Sequence, residues 1–178
     1  MFFGLTENVQ DLCIAVPWGE IRGTVWGPDH GRPVLCLHGW ADNCGTFNAL
    51  LPFLPKDFRY VAVDLPGHGC SSHRPPGVLY AFPSYVLDVR RVVDALQWSR
   101  FSIIGHSMAS VCCFLQFSAL YPEMVDAVVL LDSYGFIPTD PVCLPTRSNL
   151  LHLKLNSEPQ KIGHDVCTVR KQSRKLRV

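Results

Sequence analysis

Phe101-Ser102-Ile103-Ile104-Gly105-His106-Ser107-Met108-Ala109 is the stretch on which the fold turns. Phe101 to Ile104 is a short apolar run of strand type, and Met108 to Tyr121 continues as a helical pattern stopped by Pro122. Ser107 therefore stands at a turn between a buried strand and a helix. Gly105 and Ala109, two residues to either side, are small enough for a strand and a helix to meet closely there.

The same alternation extends outward from this point. Residues 11–16 and 19–27, separated by Pro17, read as an antiparallel hairpin. Pro33 to Leu37 is a continuous apolar run ending in His38-Gly39-Trp40, as expected of a parallel strand buried on both faces. Asn43 is a candidate N-cap for a helix carrying Phe47, Leu50, Leu51 and Leu54 at helical spacing. Tyr60 to Val63 is the next strand, closed by the turn-rich Asp64-Leu65-Pro66-Gly67-His68-Gly69. From Ser84 to Trp98, Val86, Val89, Val93 and Leu96 recur every three or four residues, with Asp88, Arg90, Arg91 and Asp94 expected to face outward. Val125 to Leu131 gives a sixth strand. Strands alternating with helices predict βαβ units and a mainly parallel sheet covered by helices on both faces, an α/β fold.

Composition supports a folded core: 48% of the 178 residues are apolar and 17% charged. Residues 1–146 carry 8 basic and 13 acidic groups, whereas residues 147–178 carry 8 and 2. Beyond Asp132 the pattern dissolves among Pro138, Pro141 and Pro145. The expected organisation is thus a core over residues 11–135, followed by an irregular to disordered basic tail over 136–178. The eight cysteines show no metal-ligand spacing and mostly lie in apolar runs, so they are expected to be buried reduced thiols. No metal or cofactor is expected, since metal-ligand spacing, a P-loop and a GxGxxG are all absent, and no nucleic acid, since a basic tail more commonly is a solvated, disordered end than a nucleic-acid contact. No stretch is long and apolar enough to span a bilayer, and no signal peptide opens the chain, so an intracellular, cytoplasmic protein is expected.

The order of elements and motifs, from Val16-Pro17-Trp18-Gly19 to Leu130-Leu131-Asp132, resembles the α/β-hydrolase family and, within it, the serine hydrolase-like proteins. The resemblance implies a sheet of eight strands, with the nucleophile after the fifth, an acid after the sixth or seventh, and a histidine after the eighth. Ser107 is then the nucleophile. The backbone amides of Trp40 and Met108 are the oxyanion-hole donors, supported by the motif residues His38, Gly39, Gly105, His106 and Ala109. Asp64 and His68 are expected to shape their loop rather than react. Asp132 is either the triad acid or a loop-forming carboxylate. Only six strands are legible, so the last two, and the histidine that belongs with them, are expected to be missing. His152 and His164 lie in the right half of the chain but follow no strand.

Two functions remain open on this reading. One is a serine hydrolase acting on an ester or related acyl substrate. The other is a catalytically inactive, shortened hydrolase-like protein that binds a partner or a second copy through the exposed edge of its sixth strand. The resemblance also leaves a peroxisomal or perinuclear vesicle location open, although Lys175-Leu176-Arg177-Val178 is not a peroxisomal signal.

Overall fold

A computed structural model describes residues 9–107, 115–132 and 166–170. The elements are β1 (Val9–Val16), β2 (Gly19–Trp26), β3 (Arg32–Leu37), β4 (Phe58–Val63), α1 (Phe82–Ala95), β5 (Phe101–His106), α2 (Leu115–Leu120), β6 (Val125–Leu131) and β7 (Val166–Arg170). They build one sheet in the order β1-β2-β4-β3-β5-β6-β7. β1 and β2 form the expected hairpin, and β2 joins β4 antiparallel. β4, β3, β5 and β6 then run parallel.

The central strands are apolar at consecutive positions because the sheet is covered on both sides. On β3, Leu35 and Leu37 join one cluster with Val61, Val63, Phe101 and Ile103, against Tyr85, Val89 and Val93 of α1 and Phe117 of α2. Val34 and Cys36, pointing the other way, join Phe47, Leu51, Tyr60, Ala62 and Ile104. Alternate residues of one strand thus feed two cores, which pins its register. α1 starts with Pro83 in its first turn, where a missing N–H costs nothing.

Several expectations are corrected. The helix expected after Asn43 is two short 3-10 turns, Cys44–Phe47 and Leu51–Phe53. Asn43 does cap the first, accepting from the Gly45 N–H at 2.9 Å. Pro52 lacks the N–H that a continuous α-helix would need from it, and Gly45 disfavours helix. Asp88 does not face outward: it is 1% exposed and pairs with Arg74 and with Arg91, the latter at 3.1 Å. Of the expected Met108 to Tyr121 helix, Leu115–Leu120 is helical, and residues 108–114 lie outside the described residues.

The sixth strand is not an edge. Val166–Arg170 pairs antiparallel with it, from Leu131↔Val166 to Ala127↔Arg170. Val166, Thr168 and Val169 are β-branched, which suits a strand, and β6 has a free row of backbone donors and acceptors for them to meet. The basic segment therefore supplies a seventh strand, and the edge expected to recruit a second copy is occupied within the chain. The remainder of the expected tail lies outside the described residues.

Candidate functional site

The carboxyl ends of the four parallel strands lie side by side in the order β4-β3-β5-β6, the edge at which open α/β sheets bind ligands. Each strand delivers at least one expected site residue to that edge. β4 leads into Asp64, β3 into His38-Gly39-Trp40, β5 into Ser107 and β6 into Asp132. Gly105, near the end of β5, pairs with Leu37 on one side and Leu130 on the other.

Ser107 is half-buried and has φ 50°, in the left-handed region that non-glycine residues rarely enter. Asp132 has φ 47°. The Ser107 N–H donates to the Leu131 carbonyl at 3.0 Å, carrying the β5–β6 pairing one step beyond the last strand residue. A left-handed non-glycine residue costs about 1–2 kcal/mol, and such strain tends to gather at functional sites.

The turn after β3 lies against this one. A Cβ added to Gly39 would stand 3.2 Å from Ser107 Cβ and 3.1 Å from His106 Nδ1, so glycine is what allows the two turns to approach. Trp40 follows, 66% exposed, with its ring meeting the His68 ring edge-on at 6.0 Å between centroids. Met108 and Ala109, and likewise His152 and His164, lie outside the described residues.

His38 is fully buried and has both ring nitrogens engaged. Nε2 accepts from the Leu65 N–H at 2.9 Å, which leaves Nδ1 as the donor to the Gly39 carbonyl at 2.7 Å. Burial pushes its pKa below the usual histidine value, with His68 adding to the effect against the Gly39 hydrogen bond. His38 is a neutral strut between two loops. Asp64 is a second strut, buried, with one carboxylate oxygen accepting from the Cys44 N–H at 2.6 Å and the other from the Cys70 N–H at 2.8 Å. Ser71 Oγ closes the same loop by donating to the Asp64 carbonyl at 2.7 Å. His68 sits beside His38, ring centroids 5.1 Å apart, with Nδ1 3.2 Å from the Pro66 carbonyl.

One site residue escapes the sequence reading altogether. Asp42 Oδ2 lies 4.0 Å from His106 Nδ1, beside the serine. The Asp42 carboxylate accepts from Thr46 Oγ1 and, at 2.8 Å, from the Asn43 N–H, and the Thr46 bond is the main reason its pKa is lowered. Asp42 is separated from His106 by 64 positions, and nothing in the local pattern around it marks the pairing. The cysteines also depart from expectation: Cys36 is buried, but Cys13 and Cys70 are exposed and Cys44 is half-buried. Cys13 and Cys70 escape burial because one lies on the outer hairpin strand β1 and the other in the loop after β4. Among the described residues, no helix is long and apolar enough to cross a membrane.

The profile of the alpha/beta hydrolase fold matches residues 32–157. The chain belongs to the α/β-hydrolase family. It is 74% identical over 136 residues to a serine hydrolase-like protein of Danio rerio, a match covering 76% of this chain and 41% of the relative. With a human serine hydrolase-like protein it shares 52% identity over 129 residues, covering 72% of this chain and 63% of that one. The chain thus spans less than two thirds of either relative. Among solved structures, a hypothetical protein from Pseudomonas aeruginosa PAO1 is 40% identical with a TM-score of 0.67, covering 72% of this chain and 44% of its own. The thioesterase domain of the curacin biosynthetic pathway superposes with a TM-score of 0.62 at 25% identity, over 67% of this chain and 43% of that one.

Proposed function

We propose that Ser107 is the nucleophile of an acyl-transfer site, at a nucleophile elbow, and that the substrate class is a carboxylic ester or related acyl compound. One observation carries the reading: a serine in the left-handed region at the carboxyl end of β5, with the Gly39-Trp40 turn against it. A serine there presents its hydroxyl above the sheet, where an acyl carbon can be attacked. The amides of Trp40 and Met108 would receive the charge that gathers on the carbonyl oxygen, and loss of one such donor typically lowers rate about 100- to 1000-fold. Asp132, beside Ser107 at the end of β6, is the candidate acid. The serine hydrolase-like relatives and the thioesterase domain are in keeping with this chemistry.

No histidine among the described residues is placed to act as the general base. Among the described residues the histidines nearest the site face elsewhere: His38 is tied to Leu65 and Gly39, His68 faces the Pro66 carbonyl, and His106 Nδ1 faces Asp42. A serine without a base is a weak nucleophile, so slow labelling and low ester turnover are expected if no histidine outside the described residues reaches Ser107. Reaction of the folded protein with a fluorophosphonate probe tests the reading. Labelling on Ser107 that disappears in Ser107→Ala supports it, whereas a folded protein that takes no label at Ser107 favours a binding protein without catalysis.

A further inference from the structure

We propose that Cys44 and Cys70 form a reversible disulfide linking the segments that follow β3 and β4, on one side of the serine. The proposal goes beyond the hydrolase reading and does not depend on it. The two backbone amides bind opposite oxygens of a single carboxylate, Cys44 to Asp64 Oδ1 at 2.6 Å and Cys70 to Asp64 Oδ2 at 2.8 Å. A disulfide requires Cα atoms about 4.4–6.8 Å apart; the shared carboxylate holds both residues in one neighbourhood, and Cys70 lies near enough for its charge to act on the Cys44 thiol. Gly69 holds the second loop there, since a Cβ at that left-handed position would overlap the Asp64 carboxylate. Both loops also meet β2: Ser71 Oγ accepts from the Arg22 N–H at 2.8 Å, and the Cys44 thiol interacts with the Thr24 side chain.

The two thiols differ in a way that orders the chemistry. Cys70 is exposed and Cys44 half-buried. Burial, aided by the Asp64 carboxylate, pushes the Cys44 thiol up to about 12, so it is a poor first nucleophile. With a small disulfide such as oxidised glutathione as the oxidant, the Cys70 thiolate attacks one sulfur and expels one glutathione thiolate, leaving a mixed disulfide. Cys44 then loses its proton to water and attacks the Cys70 sulfur, forming the Cys44–Cys70 bond and expelling the second glutathione thiolate. Two protein thiols are oxidised, and one glutathione disulfide is reduced to two thiols. Closure is slow because so little of Cys44 is thiolate, but it is intramolecular. The other described cysteines offer less: Cys36 is buried within the core, and Cys13 donates to Glu20 at 3.0 Å.

The product would tie the segment that follows the Gly39-Trp40 turn to the loop that carries His68. The test equilibrates the full reduced chain with oxidised and reduced glutathione in graded ratios, blocks remaining thiols, and maps cysteine-linked peptides by mass spectrometry. The expected result is a peptide joining Cys44 to Cys70 with the loss of two hydrogens, reversed by dithiothreitol. Cys44→Ser should stop at the glutathione adduct on Cys70, and the oxidised wild type should gain at least about 5 °C in Tm from closing the loop between the two residues. A stable glutathione adduct on Cys70 in the wild type, a link from Cys70 to another cysteine such as Cys13, or both thiols still free at the most oxidising ratio would each overturn the proposal.

Discussion

Ser107 and Asp132 leave neighbouring parallel strands in the same left-handed conformation, φ 50° and 47°, joined by the hydrogen bond from Ser107 N–H to the Leu131 carbonyl. Glycine adopts that conformation without the Cβ clash, at an entropic cost of about 0.5–1 kcal/mol. Ser107→Gly should therefore be at least as stable as Ser107→Ala, and up to about 1 kcal/mol more so. Urea denaturation of the two variants measures this. A Ser107→Gly protein clearly weaker than Ser107→Ala would mean that the turn is held by the serine side chain rather than merely tolerating it.

His38 gives a pH signature. Its folded-state pKa is lowered by burial, so the unfolded chain, titrating near the ordinary value of 6.5, binds the proton more readily. The group's contribution is present above that value and is lost as pH falls below it, at no more than about 1.4 kcal/mol per pH unit. His38→Ala should cost about 2–4 kcal/mol at neutral pH, because the Leu65 N–H and the Gly39 carbonyl lose their partner. It should also show a shallower loss of stability between pH 7 and 5 than the wild type. Parallel stability curves for the two proteins would show that His38 does not carry this proton linkage.

What the sequence made legible follows from periodicity. Parallel strands buried on two faces announce themselves as unbroken apolar runs, and the serine could be placed because a strand run and a helical run meet there between small residues. Pairings across the fold had no such signal. Asp88 lies on a helix whose spacing pointed it outward, yet its partner Arg74 arrives from a loop 14 residues earlier. Asp42 meets His106 only because β3 and β5 are neighbours. The short turns after Asn43 and the partner strand of β6 were hidden for a related reason. Apolar spacing over a few residues does not separate a helix from a 3-10 turn, and a basic segment ordinarily reads as solvated even when its β-branched residues suit an edge.

Asp64 and Gly69 should behave as a coupled pair. Gly69 has φ 50°, and a Cβ there would displace the carboxylate that holds the Cys44 and Cys70 amides. Asp64→Ala is expected to cost about 3 kcal/mol or more, from two charge-assisted hydrogen bonds lost in a buried position. Gly69→Ala should be strongly destabilising alone and less so when Asp64 is already alanine, with a coupling of at least about 1 kcal/mol in a double-mutant cycle. Additive costs would show that the left-handed backbone, not the carboxylate, is the whole reason for glycine at this position.

The Arg74–Asp88 pair tests how a buried charge is kept in this fold. Their side chains are 7% and 1% exposed, and the Arg74 guanidinium stands over Trp18 and Tyr80, 5.0 and 5.5 Å from the ring centroids. Burial raises the Asp88 pKa above its ordinary 3.8, against the pull of Arg74 and Arg91. The folded state then holds the Asp88 proton more readily than the unfolded chain, so this group's contribution becomes more favourable as pH falls and is least favourable at neutral pH. Arg74→Ala should cost about 3–5 kcal/mol at pH 7, because it leaves Asp88 buried with only Arg91 as a partner. The cost should shrink toward pH 5 as the carboxyl takes up a proton. Replacing both residues by apolar ones of similar size, Arg74→Met with Asp88→Leu, should recover most of the loss. Urea denaturation at the two pH values decides. A double variant as weak as Arg74→Ala, or a loss that does not change with pH, would mean that the guanidinium acts through its stacking on Trp18 and Tyr80 rather than by neutralising Asp88.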